Sequence, residues 1–341
     1  MKVAIVTIRS SSGEEGGAER LYRALLESFV ALGHEADEIT LESDESSFER
    51  ILKNYLYFHD LDLSNYDLVV STKAPTWMVR HPNHVCYLIH TIRAFYDMFD
   101  ELFPKAHTQL MEQRQLIHRL DTLALSPPRC RRVFSIGYEV SARLQHWNGR
   151  DAEVLHPPLW SNPFQAGDAE ALLFLPGRLH AWKRTDLIVK AMQHVKRPVR
   201  LMIAGQGDAE QRLRELAKAD ARIEFLGRVT DATLVDLYSR CVAVPFTPKR
   251  EDYGYVTLEA FASGKPVITC DDSGEAARIV REQQGGMVVA PDPESLAKAI
   301  EWMIDHPAES SSMGRRGQAW VNGLHWTTVA KRLMAALGED D

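Results

Sequence analysis

The sequence predicts an α/β protein of two domains, each built on a mainly parallel sheet. Three observations carry that reading. Short β-branched or apolar runs alternate with amphipathic stretches, the alternation restarts past the middle of the chain, and a proline-rich stretch separates the two series. A length of 341 residues is more than one ordinary core requires and is comfortable for two.

The first half opens with Val3-Ala4-Ile5-Val6-Thr7-Ile8, the pattern of a strand buried on both faces. A polar loop over 9–17 follows. Residues 18–32 then place Leu21, Leu25, Phe29 and Leu32 on one helical stripe, which Gly33 caps. Further strands are expected at 38–41, 68–71, 85–88, 133–136 and 153–155, with helical stretches between most of them. His156-Pro157-Pro158-Leu159-Trp160-Ser161-Asn162-Pro163 can continue neither element and reads as a linker. The second series has strands at 171–175, 199–204, 223–226, 242–244, 267–269 and 287–289. Its helices are expected at 185–194, 209–217, 230–239 and 256–263. Two open α/β domains of this kind leave a cleft at the carboxyl ends of their strands, where such sheets hold ligands. The boundaries fall at 1–162 and 163–318; the segment 319–341, with a helix over 327–337, could close either domain.

Composition excludes several classes. A net charge of −7 argues against nonspecific nucleic-acid binding, so no nucleic-acid partner is expected. Cys86, Cys130, Cys241 and Cys270 form no CxxC pair, so reduced buried thiols are expected rather than a metal site. The apolar run after Met1-Lys2 is too short for a signal peptide, and no run is long enough to cross a bilayer. The expected location is cytoplasmic.

The segment Glu251-Asp252-Tyr253-Gly254-Tyr255-Val256-Thr257-Leu258-Glu259 carries the most chemistry. Gly254 marks a helix start and Gly264 its left-handed cap before the strand at Val267. Glu251 then lies in a loop above the helix N-terminus, Glu259 lies inside the helix, and the free N–H groups around Gly254 and Tyr255 between them form an anion site. Arg178 and Lys183 both follow the first strand of the second domain. Each cation near a diphosphate oxygen is worth about 4 kcal/mol in a partly screened site, before desolvation. Two of them could stabilise a nucleoside diphosphate leaving group without a metal. Either carboxylate or either cation alone reads as a solvated surface residue; their joint placement after strands of one domain changes the odds.

These motifs resemble the donor domain of the family 4 glycosyltransferases. The family's two glutamates with seven residues between them match Glu251 and Glu259, and its glycine-arginine and following lysine match Gly177-Arg178 and Lys183. Phe225-Leu226-Gly227-Arg228-Val229 and Gly264-Lys265-Pro266-Val267-Ile268 match in order and spacing, and the likeness runs from about 171 to 280. The resemblance implies the GT-B architecture, two facing Rossmann-like domains with a central cleft, with the acceptor side in 1–162 and the donor side in 163–318. It implies a retaining transfer of sugar from a nucleotide diphosphate sugar, with UDP or GDP as the nucleotide, to a hydroxyl acceptor in polysaccharide, glycolipid or glycoconjugate synthesis. No cofactor or metal is implied. Arg178 and Lys183 would bind the diphosphate, Glu259 the ribose and Glu251 the transferred sugar, while Gly227, Arg228 and Val229 would border the base. Tyr253 and Thr257 depart from the family's usual phenylalanine and proline, which bears on sugar choice and not on class.

The first half matches in two patches. Gly16-Gly17-Ala18-Glu19-Arg20 resembles the family's glycine-rich turn, where backbone N–H groups approach the donor phosphate. Cys86-Tyr87-Leu88-Ile89-His90 resembles its strand ending in histidine, which implies binding or proton handling by His90, with Arg93 and Tyr96-Asp97 following. Residues 97–132 match poorly. They read as a solvated helix pair over the sheet; the sharper alternative has Arg129, Arg131 and Arg132 meeting a lipid-linked or phosphorylated acceptor at a membrane surface. Two short motifs are set aside: Ala204-Gly205-Gln206-Gly207 reads as a turn, and Asp60-Leu61-Asp62 as an exposed tripeptide. A nucleotide-sugar epimerase, a non-catalytic sugar-nucleotide binder and, last, a dehydrogenase are the rival readings.

Overall fold

A computed structural model describes residues 1–10, 17–43 and 45–338. The chain forms two compact units, Met1–Trp160 with His325–Asp341, and Ser161–Leu324.

The first unit runs β1 (Lys2–Ser10), α1 (Gly17–Ala31), β2 (Glu35–Ser43), α2 (Phe48–Asp60), β3 (Leu68–Ser71), β4 (His84–Leu88), α3 (Phe99–Leu102), α4 (Thr108–Leu125), β5 (Arg132–Ser135), α5 (Tyr138–Asn148) and β6 (Glu153–Val154). All pairings are parallel, in the order β2-β1-β3-β4-β5-β6. Every residue of β3 and β4 is buried, as is Val3 to Ile8 in β1, because helices cover both faces of a parallel sheet.

Three donors from three different segments meet at one carboxylate in this unit. Tyr55 Oη (α2) and Trp77 Nε1 donate to Asp121 Oδ1 on α4, each at 2.8 Å, and Tyr96 Oη donates to Asp121 Oδ2 at 2.6 Å. Asp121 is fully buried, and burial pushes its carboxyl up to about 6 against the opposing pull of the three donors.

Arg114, Arg129 and Arg131 are bound into the fold, while Lys105 and Arg119 are exposed. Arg114 stacks on Phe99 and Trp147, Arg129 donates to the Met78 carbonyl, and Arg131 donates to Pro82 and Leu337. In place of a helix pair, the segment forms the single turn α3 and the long α4, with Leu116 and Leu123 of α4 exposed. Among the described residues no helix is long and apolar enough to cross a membrane.

The second unit runs β7 (Leu172–Pro176), α6 (Thr185–Met192), β8 (Arg200–Ala204), α7 (Glu210–Ala217), β9 (Ile223–Gly227), α8 (Asp231–Arg240), β10 (Val244–Pro245), α9 (Tyr255–Ala262), β11 (Val267–Cys270), α10 (Glu275–Glu282), β12 (Gly286–Val289), α11 (Pro293–Asp305) and α12 (Pro307–Asn322). Two three-stranded parallel sheets, β7-β8-β9 and β10-β11-β12, are stitched by a parallel bridge between Leu173 and Ala243. Val242 N donates to Leu172 O at 2.8 Å along the same seam. The strands therefore follow one another as β9-β8-β7-β10-β11-β12. Chain order reverses at the β7/β10 seam, and such a switch point is where an open α/β sheet leaves a crevice. Leu173, Ile188, Leu201, Ile268 and Ile300 lie in the core beneath it.

The closing helix α13 (Trp326–Ala335) belongs to the first unit and packs on α1. Arg332 reaches Glu153 through two nitrogens, at 2.7 and 2.8 Å, and lies over the Phe134 ring. The four cysteines are buried free thiols.

Candidate functional site

Arg178, Lys183, Thr185, Phe246 and Thr247 line one pocket, together with the last residues of β7 and β10. It lies at the β7/β10 switch point, so the topology and the side chains single out the same place.

Lys183 ends a short 3-10 turn, Ala181–Lys183, after β7. Its ammonium is 2.7 Å from Glu251 Oε2 and lies over the Phe246 ring. Both side chains are roughly three-quarters buried, so the charge pair is only partly screened by water. Arg178 is exposed at the pocket rim.

The loop holding Glu251 is fixed from two sides. Glu251 N donates to Ser273 O, Glu275 N donates back to Glu251 O, and Arg250 N donates to Asp272 O. Arg184 supplies the second restraint. Its guanidinium donates to the Thr247 and Pro248 carbonyls at 2.8 and 2.9 Å and binds Asp272 through two nitrogens at 2.5 and 2.7 Å. Arg184 has φ 49°, a left-handed conformation that an arginine adopts at a cost of roughly 1 kcal/mol. Four charge-assisted or carbonyl bonds offset that cost.

Gly254 opens α9 at φ 86°, with no side-chain cap. A Cβ there would stand 2.8 Å from Phe246 Cε1 and 3.2 Å from Glu251 Cγ, so both sterics and backbone require glycine. The first N–H groups of α9 thus follow directly on the Glu251 loop, and Thr257 N turns back to Gly254 O. The Tyr255 phenol is buried without a hydrogen-bond partner among the described residues, and its pKa is raised by burial and then by the nearby Glu259. Glu259 Oε2 accepts from Tyr238 Oη of α8 at 2.7 Å. Burial, followed by the Glu259 charge, holds the Tyr238 phenol well above its usual range, so it remains a donor.

Gly227 ends β9, with Arg228 and Val229 following it, and Gly227 O accepts from Gly205 N at 2.8 Å. The 205–207 stretch is a close-packed shelf rather than a plain turn. A Cβ on Gly205 would lie 1.8 Å from Gly177 O, and Leu179 N donates to Gln206 O. The shelf supports the loop that carries Arg178.

The remaining candidates lie in the first unit. His90 is half-buried two residues past β4, and its carbonyl accepts from Ala74 N. Arg93 is bound by Asp97 at 2.6 Å, a position-holding contact. Gly17 is the first residue of α1; Gly16 lies outside the described residues. Asp60 and Asp62 are exposed. Sequence reasoning did not single out Arg184, Asp272, Tyr238 or Thr185, whose roles depend on partners far away in the chain.

Residues 159–320 match the family model of the glycosyl transferases group 1. The match falls on the second unit.

Similar curated proteins include the D-rhamnosyltransferase WbpZ of Pseudomonas aeruginosa, 29% identical over 52% of this chain and 43% of that one. The lipopolysaccharide core biosynthesis mannosyltransferase LpcC of Rhizobium leguminosarum bv. viciae is 30% identical over 64% of this chain and 63% of its own. The chain thus covers less than two thirds of the length of these relatives, and their activities do not favour the epimerase reading. Among solved structures, sucrose-phosphate synthase from Thermosynechococcus elongatus superimposes with a TM-score of 0.72 at 19% identity, over 99% of this chain and 98% of that one. Anabaena HepE in complex with UDP and glucose gives 0.71 at 16% identity, over 98% and 99%. The fold class is GT-B.

Proposed function

We propose that the chain is a retaining glycosyltransferase that moves a sugar from a nucleoside diphosphate donor to a hydroxyl acceptor in polysaccharide, glycolipid or other glycoconjugate synthesis. The observation that carries this reading is the Lys183–Glu251 pair beside Arg178 at the β7/β10 switch point. A ligand with a doubly charged centre and hydroxyl-bearing ends suits cations in the middle and carboxylates on either side. The relatives are sugar transferases, and solved HepE complexes hold UDP and UDP-glucose, which supports a nucleoside diphosphate sugar as donor.

In this reading Lys183, Arg178 and the N–H groups of Gly254 and Tyr255 take the diphosphate. Glu259, oriented by Tyr238, accepts the ribose hydroxyls; Glu251 contacts the transferred sugar; Gly227, Arg228 and Val229 border the base. The sugar–phosphate bond breaks as the acceptor oxygen bonds the anomeric carbon on the same face. The acceptor proton passes to the departing phosphate oxygen. The two protein cations stabilise the diphosphate as it leaves, so the reaction proceeds without a metal. His90 serves the acceptor, as binder or proton carrier. The acceptor is a hydroxyl, with a lipid-linked one at the inner membrane face as the variant suited to a cytoplasmic enzyme.

The test is incubation with UDP-, GDP- and ADP-sugars and candidate acceptors, with and without EDTA, reading the product's anomeric configuration by NMR. One donor giving a product of unchanged configuration in EDTA supports the proposal. Inversion, or turnover only with added metal, removes the corresponding part of it.

A further inference from the structure

Thr185 is the first residue of α6 and is 3% exposed; it lines the switch-point pocket beside Lys183 and Arg178. Among the described residues its Oγ1 has no hydrogen-bond partner. Buried hydroxyls in folded proteins are nearly always paired, and leaving one unpaired is destabilising. Capping does not account for it. The capping position of α6 is Arg184, and no side-chain cap bond is made there. The Ala181 carbonyl, four residues back, already accepts from Arg184 N. Valine has nearly the same shape as threonine and would fill this site without stranding a polar atom. The hydroxyl is therefore a poor choice for packing and a suitable one for a ligand.

We infer that Thr185 Oγ1 donates a hydrogen bond to a non-bridging oxygen of the diphosphate of a nucleoside diphosphate ligand, next to Lys183 and Arg178. The inference rests on the donor-site reading above. Lys183 acts on the anion as a point charge and orients it weakly, whereas a hydroxyl on the first turn of a helix is a short, directed donor. The α6 N-terminus favours negative charge at the same spot. No proton is transferred, and Thr185 acts by binding alone.

The experiment is titration calorimetry with UDP, GDP and ADP on wild type, Thr185→Val and Thr185→Ser, with melting temperatures taken without nucleotide. Thr185→Val is expected to bind the preferred nucleotide about tenfold more weakly. Ligand-free, the same variant melts at or above the wild-type temperature, by up to about 6 °C, because a methyl replaces a stranded hydroxyl. Thr185→Ser keeps the donor and binds within about threefold of wild type. Wild-type affinity in Thr185→Val overturns the inference, since a trapped water or nothing then satisfies the hydroxyl. A lowered melting temperature in Thr185→Val overturns it too, because the hydroxyl then has a partner within the protein. If the wild type binds none of UDP, GDP and ADP while every variant folds, the donor-site reading has failed and this inference falls with it.

Discussion

The Lys183 ammonium stands 2.7 Å from the Glu251 carboxylate, joining residues 68 positions apart at the mouth of one sheet. A diphosphate arriving there competes with Glu251 for the lysine. Glu251→Gln removes the competitor while keeping the side-chain shape. It is predicted to tighten nucleoside diphosphate binding by about three- to tenfold and to abolish sugar transfer. Lys183→Ala should weaken the same binding by about tenfold or more. Calorimetry with UDP and GDP, alongside a transfer assay, checks both. Weaker nucleotide binding by Glu251→Gln would contradict the competition.

Arg184 is expected to stabilise the loop that Glu251 occupies. Arg184→Gly suits the left-handed backbone but removes the bonds to Thr247, Pro248 and Asp272. A loss of about 1–3 kcal/mol is predicted in denaturant unfolding, with Asp272→Ala giving a similar loss and the double variant little more. Additive losses would show that the two side chains act independently.

Gly254→Ala tests the close approach directly. The new methyl meets Phe246 and Glu251 at a backbone angle that alanine resists. The predicted cost is about 1–3 kcal/mol of stability, with nucleotide affinity lowered as the start of α9 shifts. Chemical unfolding and calorimetry read the two effects separately.

Asp121 gives a prediction in pH. Its folded carboxyl, at about 6, is raised above the ordinary 3.8 by burial. Between those values the folded state keeps a proton that the unfolded state has released, so the contribution is full below about 4 and is lost as pH rises through 6. By linkage the difference is up to about 3 kcal/mol. Asp121→Asn should flatten this part of the stability profile relative to wild type, measured by urea unfolding from pH 4 to 7. An identical slope in both proteins would contradict it.

Most of the fold was legible because parallel strands buried on both faces are short apolar runs bounded by turn residues. The strand at 68–71 is found where its run predicts, and those at 85–88, 223–226 and 267–269 differ by one residue at an end. Helices α2, α11 and α12 were not singled out, although Ser47 and Asp292 cap the first two and Pro293 and Pro307 open the last two. Spacing singled out Glu251, Glu259, Arg178 and Lys183; in the structure Lys183 pairs with Glu251 and lines one pocket with Arg178, while Glu259 bonds Tyr238. Arg184–Asp272 and Tyr238–Glu259 were not, because each joins loops or helices whose adjacency is set only by strand order. The Gly205–Gln206–Gly207 stretch was underread for a similar reason. Its glycines answer to the backbone of Gly177 and Leu179, a partner no local pattern reveals.

The most direct test of the donor site is the affinity of wild type and Lys183→Ala for UDP, GDP and ADP, measured by calorimetry in EDTA. The account predicts that wild type binds one of the three with micromolar affinity and that Lys183→Ala, still folded, binds it at least tenfold more weakly. Equal binding by the two proteins, or no binding of any of the three by wild type, would contradict it.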